Sequence, residues 1–94
     1  MSDHQAKIEA LKAMMAEGRF HHATHRHGGP SFNHGLYIYE KEDNGFNGYR
    51  YAFSFYDGTR YAHNADPVAK AEEQEAYEIV RHTGVCSNSY AHGG

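Results

Sequence analysis

The sequence predicts a single α+β domain spanning residues 1–94: an N-terminal helix, a three- to four-stranded antiparallel sheet and a second helix, αβββ(β)α, with room for a C-terminal edge strand. Three observations lead there. Apolar residues recur at helical spacing in two stretches, one near the N-terminus and one after Asp66-Pro67. Between them, Tyr49 to Tyr56 alternates with a period of two, the signature of a strand. Clusters of Gly, Asn, Asp and Pro divide the intervening chain into lengths that suit strands and turns.

The first helix is expected over residues 3–17. Ser2 with Gln5 three positions on forms a capping-box pattern, Ile8, Leu11 and Met15 repeat at helical spacing, and Gly18 is placed to stop the helix. Ala6, Ala10, Ala13 and Ala16 favour helix, Lys7, Glu9, Lys12 and Glu17 supply its wet side, and Met14 and Met15 read as core filler. Residues 19–25 lack a helical period and run into Gly28-Gly29-Pro30, which suits a short strand ending in a loop. Leu36 to Lys41 is a clearer strand, with Leu36 and Ile38 on one face and Tyr37 and Tyr39 on the other.

Asp43-Asn44-Gly45 and Asn47-Gly48 then reverse the chain. In the strand that follows, Tyr49, Tyr51, Phe53 and Phe55 are expected to share one aromatic face, turned toward the core. Asp57-Gly58 signals a turn into a short returning strand, Thr59 to Ala62. Asp66 is the N-cap and Pro67 the first residue of a helix running to about His82, which buries Ala69, Ala76, Ile79 and Val80 and stops at Gly84. Arg81 and His82 suit the negative end of its dipole, and Val85 and Tyr90 supply the edge strand.

Composition narrows function. Only eight residues are Leu, Ile or Val against eight Tyr and five Phe, so the core must be largely aromatic and some Tyr should lie on a half-exposed binding face. A net charge of −3 argues against general attraction to phosphates or anionic membranes. Protonating all nine His would move the charge to +6, so partner choice should respond to mild acid. The single cysteine, Cys86, forms no internal disulfide, and no signal peptide or long apolar run is present, which makes a cytoplasmic location the expectation.

Several groups of residues could carry chemistry. His21, His25 and His27 would project from one face of a regular strand, a geometry open to zinc, nickel or copper, although the following Gly28-Gly29-Pro30-Ser31-Phe32 adds no carboxylate. The ordinary reading is surface and loop histidines. Cys86 lies four positions after His82, but no nucleophile, phosphate-loop or metalloprotease motif accompanies it, and no catalytic residue is assigned. The protein is therefore read as non-enzymatic.

Gly48 to Phe55 echoes the aromatic strand of RNA-recognition domains but lacks its small and aliphatic positions. The element order resembles that of the double-stranded RNA-binding domain, with Gly29-Pro30 in the first inter-strand loop. That domain grips phosphates with lysines at the start of its second helix. Here Lys70 stands against Glu72, Glu73 and Glu75, so nucleic-acid binding is electrostatically disfavoured.

Gly18-Arg-Phe-His-His-Ala-Thr24, Gly35-Leu-Tyr-Ile-Tyr-Glu-Lys41, Gly45-Phe-Asn-Gly-Tyr49 and Ala76-Tyr-Glu-Ile-Val-Arg-His-Thr-Gly-Val85 resemble a group of short bacterial and phage proteins. The resemblance implies a mobile-element context and carries over no functional residue. In size, charge and lack of catalytic motif the chain is similar to anti-CRISPR proteins. The leading expectation is thus a protein-binding module that occludes a host protein or complex, through Tyr37 and Tyr39 on the sheet and Glu72, Glu73 and Glu75 on the acidic helix. A His-rich metal-binding or pH-responsive module is the alternative, and a homodimer formed through the sheet is a third expectation.

Overall fold

The computed structural model describes residues 3–29, 32–42 and 48–84, together with the backbone of 86–89. The Ser2 cap, the turn at 43–47 and the tail residues Val85 and Tyr90 lie outside the described residues. Helix α1 runs Asp3–Ala16 and buries Ile8, Leu11 and Met14, with Met15 at the margin of the core. Gly18 adopts φ +73°, and the Arg19 N–H donates back to the Met14 carbonyl at 2.9 Å, which closes the helix.

The sheet contains β1 (Phe20–Arg26), β2 (Gly35–Lys41), β3 (Tyr49–Phe55) and β4 (Cys86–Ser89) in the order β3-β2-β1-β4. The first three strands are antiparallel neighbours, and β4 lies parallel to β1. The expected C-terminal edge strand is therefore present, and α2 forms the crossover that makes it parallel.

The returning strand expected at Thr59 to Ala62 does not form. Tyr61 makes a single bridge to Gly28, and Ala62–Asn64 is a turn of 3₁₀ helix. Competing bonds account for this. The His34 N–H takes the Thr59 and Arg60 carbonyls, and the Asp57 carboxylate accepts from the Thr59 and Asp66 N–H groups, folding the segment into a loop. Gly28 has φ +96°, and any Cβ there would run into the Arg60 carbonyl.

Helix α2 spans Pro67–Val80 and continues as 3₁₀ helix over Arg81–Thr83 to Gly84, at φ +77°. The Asp66 side chain caps it, accepting from the N–H groups of Val68 and Ala69 at 3.0 and 3.2 Å. Both helices lie on the same face of the sheet. There Ile8, Leu11 and Met14 of α1 and Ala76 and Val80 of α2 close over Ala23, Leu36, Ile38 and Phe55. Among the described residues no helix is long and apolar enough to cross a membrane.

Two irregularities decide which side chains face the helices. Opposite the step from Ile38 to Tyr39, β3 moves from Phe53 to Tyr51, leaving Ala52 as an extra residue. Opposite the step from Tyr39 to Glu40, β1 moves from His22 to Phe20, leaving His21 extra. Each bulge shifts the side-chain alternation by one. Phe53 and Phe55 consequently pack on the core, whereas Tyr49 and Tyr51 turn to the opposite face, 51% and 54% exposed. The single aromatic face expected for this strand is thus divided between core and surface.

Candidate functional site

Among the described residues no helix covers the outer face of the sheet, and cross-strand pairing of β1, β2 and β3 assembles it. His22 lies opposite Tyr39 and Tyr39 opposite Tyr51, while Thr24, Tyr37 and Ser54 form the next row. The rings of His22 and Tyr39 stack with centroids 4.6 Å apart and planes 2° from parallel, and His21 stacks on Tyr49 at 4.5 Å. Tyr39 meets Tyr49 and Tyr51 edge to face at 5.7 and 6.0 Å. The Tyr51 hydroxyl donates to Ser54 Oγ at 3.0 Å, and Tyr56 extends the row past Tyr37.

The Nδ1 atoms of His21 and His22 are 2.8 Å apart, so one ring must donate to a neutral acceptor nitrogen of the other. Burial, and secondarily the neighbouring His21, hold His22 below the usual histidine range. Burial pushes the Tyr37 hydroxyl above the usual tyrosine range, the nearby Arg26 opposing it.

The charges are segregated. Strands β1, β2 and β3 contain one carboxylate, Glu40. It accepts from Arg19 Nη1 at 2.5 Å and from Arg50 Nε at 3.2 Å, in a groove that Ala10, Ala13 and Met14 of α1 line on the helical side. The outward-facing strand positions therefore carry Arg26 and Lys41 but no acid, while α2 alone carries Glu72, Glu73, Glu75 and Glu78. A net charge of −3 conceals, among the described residues, aromatic strand positions without an outward acid on one side and an acidic helical layer on the other.

The second cluster is buried between sheet and α2. His25 Nε2 lies 2.8 Å from Glu73 Oε1, and Glu73 Oε2 lies 3.0 Å from Nδ1 of His34. The other His34 nitrogen, Nε2, is 3.0 Å from Asp57 Oδ1. Asp57 Oδ1 also accepts from the N–H and hydroxyl of Thr59, and Oδ2 accepts from the Asp66 N–H. These donors, the Thr59 hydroxyl foremost, hold the Asp57 carboxyl well below the usual carboxylate range.

Asp57 is therefore an acceptor, and His34 Nε2 carries the hydrogen between them. His27 and Tyr77 border the cluster, their rings 4.9 and 4.5 Å from that of His25. Burial holds His27 below the usual histidine range, with His25 adding to the effect. The network ties the middle of α2 to β1, to the approach to β2 and to the turn after β3. Among the described residues it has no counterpart on the outer face.

The expected site residues are redistributed accordingly. Tyr37 and Tyr39 lie on the outer face. Glu73 does not join an exposed acidic patch: it is 8% exposed and turned inward onto His25 and His34. Glu72 and Glu75 stay at the surface and converge on His4, at 3.3 and 3.0 Å. The three histidines of the expected metal set do not meet. The bulge places His21 on the outer face, while His25 and His27 lie beside Glu73 on the inner one. Among the described residues no three His, Cys, Asp or Glu side chains are arranged to hold a metal.

Sequence reasoning missed His34, Asp57 and Arg26. For Glu73 a signal existed, since it stands three residues before Ala76 and seven before Val80, on the buried stripe of α2. No family model, curated protein or solved structure matches the chain.

Proposed function

We propose that the chain is a non-catalytic protein-binding module that occludes its partner through the outer face of the sheet. One observation carries this reading: Tyr49, Tyr51 and Tyr56, each about half exposed, continue the row of Tyr37 and Tyr39 across strands whose outward positions carry no carboxylate. Tyrosine suits such a surface because it offers large, rigid apolar area with a polar edge, at little cost in side-chain freedom. The acidic layer on α2 lies on the other side of the molecule and serves this reading less well than the sequence alone suggested. The stacked rings restrict one another, so the face is ordered before it is engaged.

The test is affinity capture from the native host with three proteins: wild type, Tyr49→Ser/Tyr51→Ser and Glu72→Gln/Glu75→Gln. The outer-face pair is expected to lower recovery of a wild-type-specific partner roughly tenfold, while the helical pair leaves it unchanged. The opposite ranking would move the binding surface to α2. The narrower reading, a phage or mobile-element inhibitor of the anti-CRISPR type, rests on size, charge and the resemblance noted above. Titration against purified CRISPR effector complexes, with plaque counts on CRISPR-immune hosts, tests it; absence of both binding and protection removes it.

A further inference from the structure

We propose that Arg26 is the anchor of the outer face and receives an Asp or Glu side chain of the protein partner. This rests on the outer face being the partner surface. Arg26 ends β1 and alternates outward from buried His25. Its guanidinium is held between two rings, 5.1 Å from the centroid of Phe32 and 5.2 Å from that of Tyr37. Stacking of this kind fixes a planar cation in place, so little side-chain freedom remains to be lost when an oxyanion arrives.

No carboxylate among the described residues matches its charge. Arg19 pairs with Glu17 and Glu40, Arg50 with Glu40 and Arg81 with Glu78, whereas among the described residues Arg26 makes no ion pair. Its Nε is buried without a hydrogen-bond acceptor. Since Nε is covered, an incoming carboxylate meets the guanidinium end-on, one oxygen to each Nη group, in the paired geometry arginine forms with carboxylates. The rings of Phe32 and Tyr37 would shield that pair from water and strengthen it.

A carboxylate fits better than a phosphate backbone. A nucleic acid presents a row of charges and is held by several cations, but the outward strand positions offer Arg26 and Lys41 alone, on a chain of net charge −3. One acidic side chain asks for one guanidinium. The aromatic row beside Arg26 then accommodates the apolar neighbours of that acid.

The full chain, labelled with ¹⁵N, reports directly through the Arg26 Nε–H resonance and the amides of Tyr39 and Tyr51. The probes are acetyl-Tyr-Glu-Tyr-Glu-Tyr-amide, the same peptide with Gln for Glu, and a deoxythymidine oligomer. The Glu peptide is expected to shift the Arg26 resonance to saturation. The Gln peptide and the Arg26→Lys variant should each weaken binding roughly tenfold, because lysine keeps the charge but loses the planar fork. If both peptides shift the tyrosine amides equally and leave Arg26 in place, the anchor is wrong and the outer face stands. Saturation by the oligomer in preference to the Glu peptide assigns Arg26 to phosphate and overturns the carboxylate. If neither peptide shifts any outer-face resonance, both readings fall.

Discussion

On the helix-covered face of the sheet, Ala23, Leu36, Ile38 and Phe55 are buried against α1 and α2, and the polar groups that enter, His25 and His34, each meet a carboxylate. On the outer face, histidine meets tyrosine, rings stack instead of forming ion pairs, and half-exposed aromatics take the place of aliphatics. The same residue types thus serve two purposes according to side. Histidine closes a buried polar network within, and without it completes an aromatic surface. The contrast teaches that composition and net charge describe the average of two unlike surfaces, and that function is to be sought on the one the fold leaves uncovered.

Substitutions that respect or violate this division should separate cleanly. The largest effect is expected inside: Leu36→Ala or Ile38→Ala should cost about 2–5 kcal/mol in urea unfolding, because each vacates a fully closed site. Glu73→Ala comes next, at roughly 3 kcal/mol, since it strands the buried nitrogens of His25 and His34 together. Asp66→Ala removes the α2 cap and should cost about 1 kcal/mol. Tyr51→Ser, on the open face, should change stability least, by roughly 0.5 kcal/mol or less, while weakening partner capture. Equal losses for Tyr51→Ser and Ile38→Ala would break the comparison.

Acid should expose the same division. The folded state holds His22 and His27 below the usual histidine range, so they favour folding fully above about pH 6.5 and lose that contribution as pH falls and the unfolded chain takes up protons. Asp57 is likewise held below its ordinary value. Its contribution is present above about pH 4 and is lost at lower pH. Stability measured against pH should therefore decline in two stages, and Asp57→Asn should flatten the lower one. His22→Phe should reduce the upper stage from the outer face, and His27→Phe from the inner.

Helices were legible in the sequence because their ends are written in local chemistry: Asp66-Pro67 starts α2, and Gly18 and Gly84 lie just beyond helix ends in left-handed conformation. Strand positions were legible through alternation, and so were Tyr37 and Tyr39 as outward residues. The bulges were not, since an extra residue at His21 or Ala52 leaves no mark on a period-two pattern until the partner strand is known. That unseen step is why a period-two pattern places His21 with His25, and Tyr49 and Tyr51 with Phe53 and Phe55. The buried cluster was hidden for another reason. His25 and His34 bond Glu73 across 48 and 39 residues, and in the sequence Glu73 sits in an acidic run that reads as a solvated helix face.

The most direct test of the outer face as the working surface is photo-crosslinking in the native host, with p-benzoylphenylalanine placed at Tyr51 or, on exposed α2, at Val68. The account predicts a discrete protein adduct from position 51, lost when Tyr39 is replaced by serine in the same chain, and none from position 68. An adduct from position 68 alone, or one from position 51 that survives Tyr39→Ser undiminished, would contradict it.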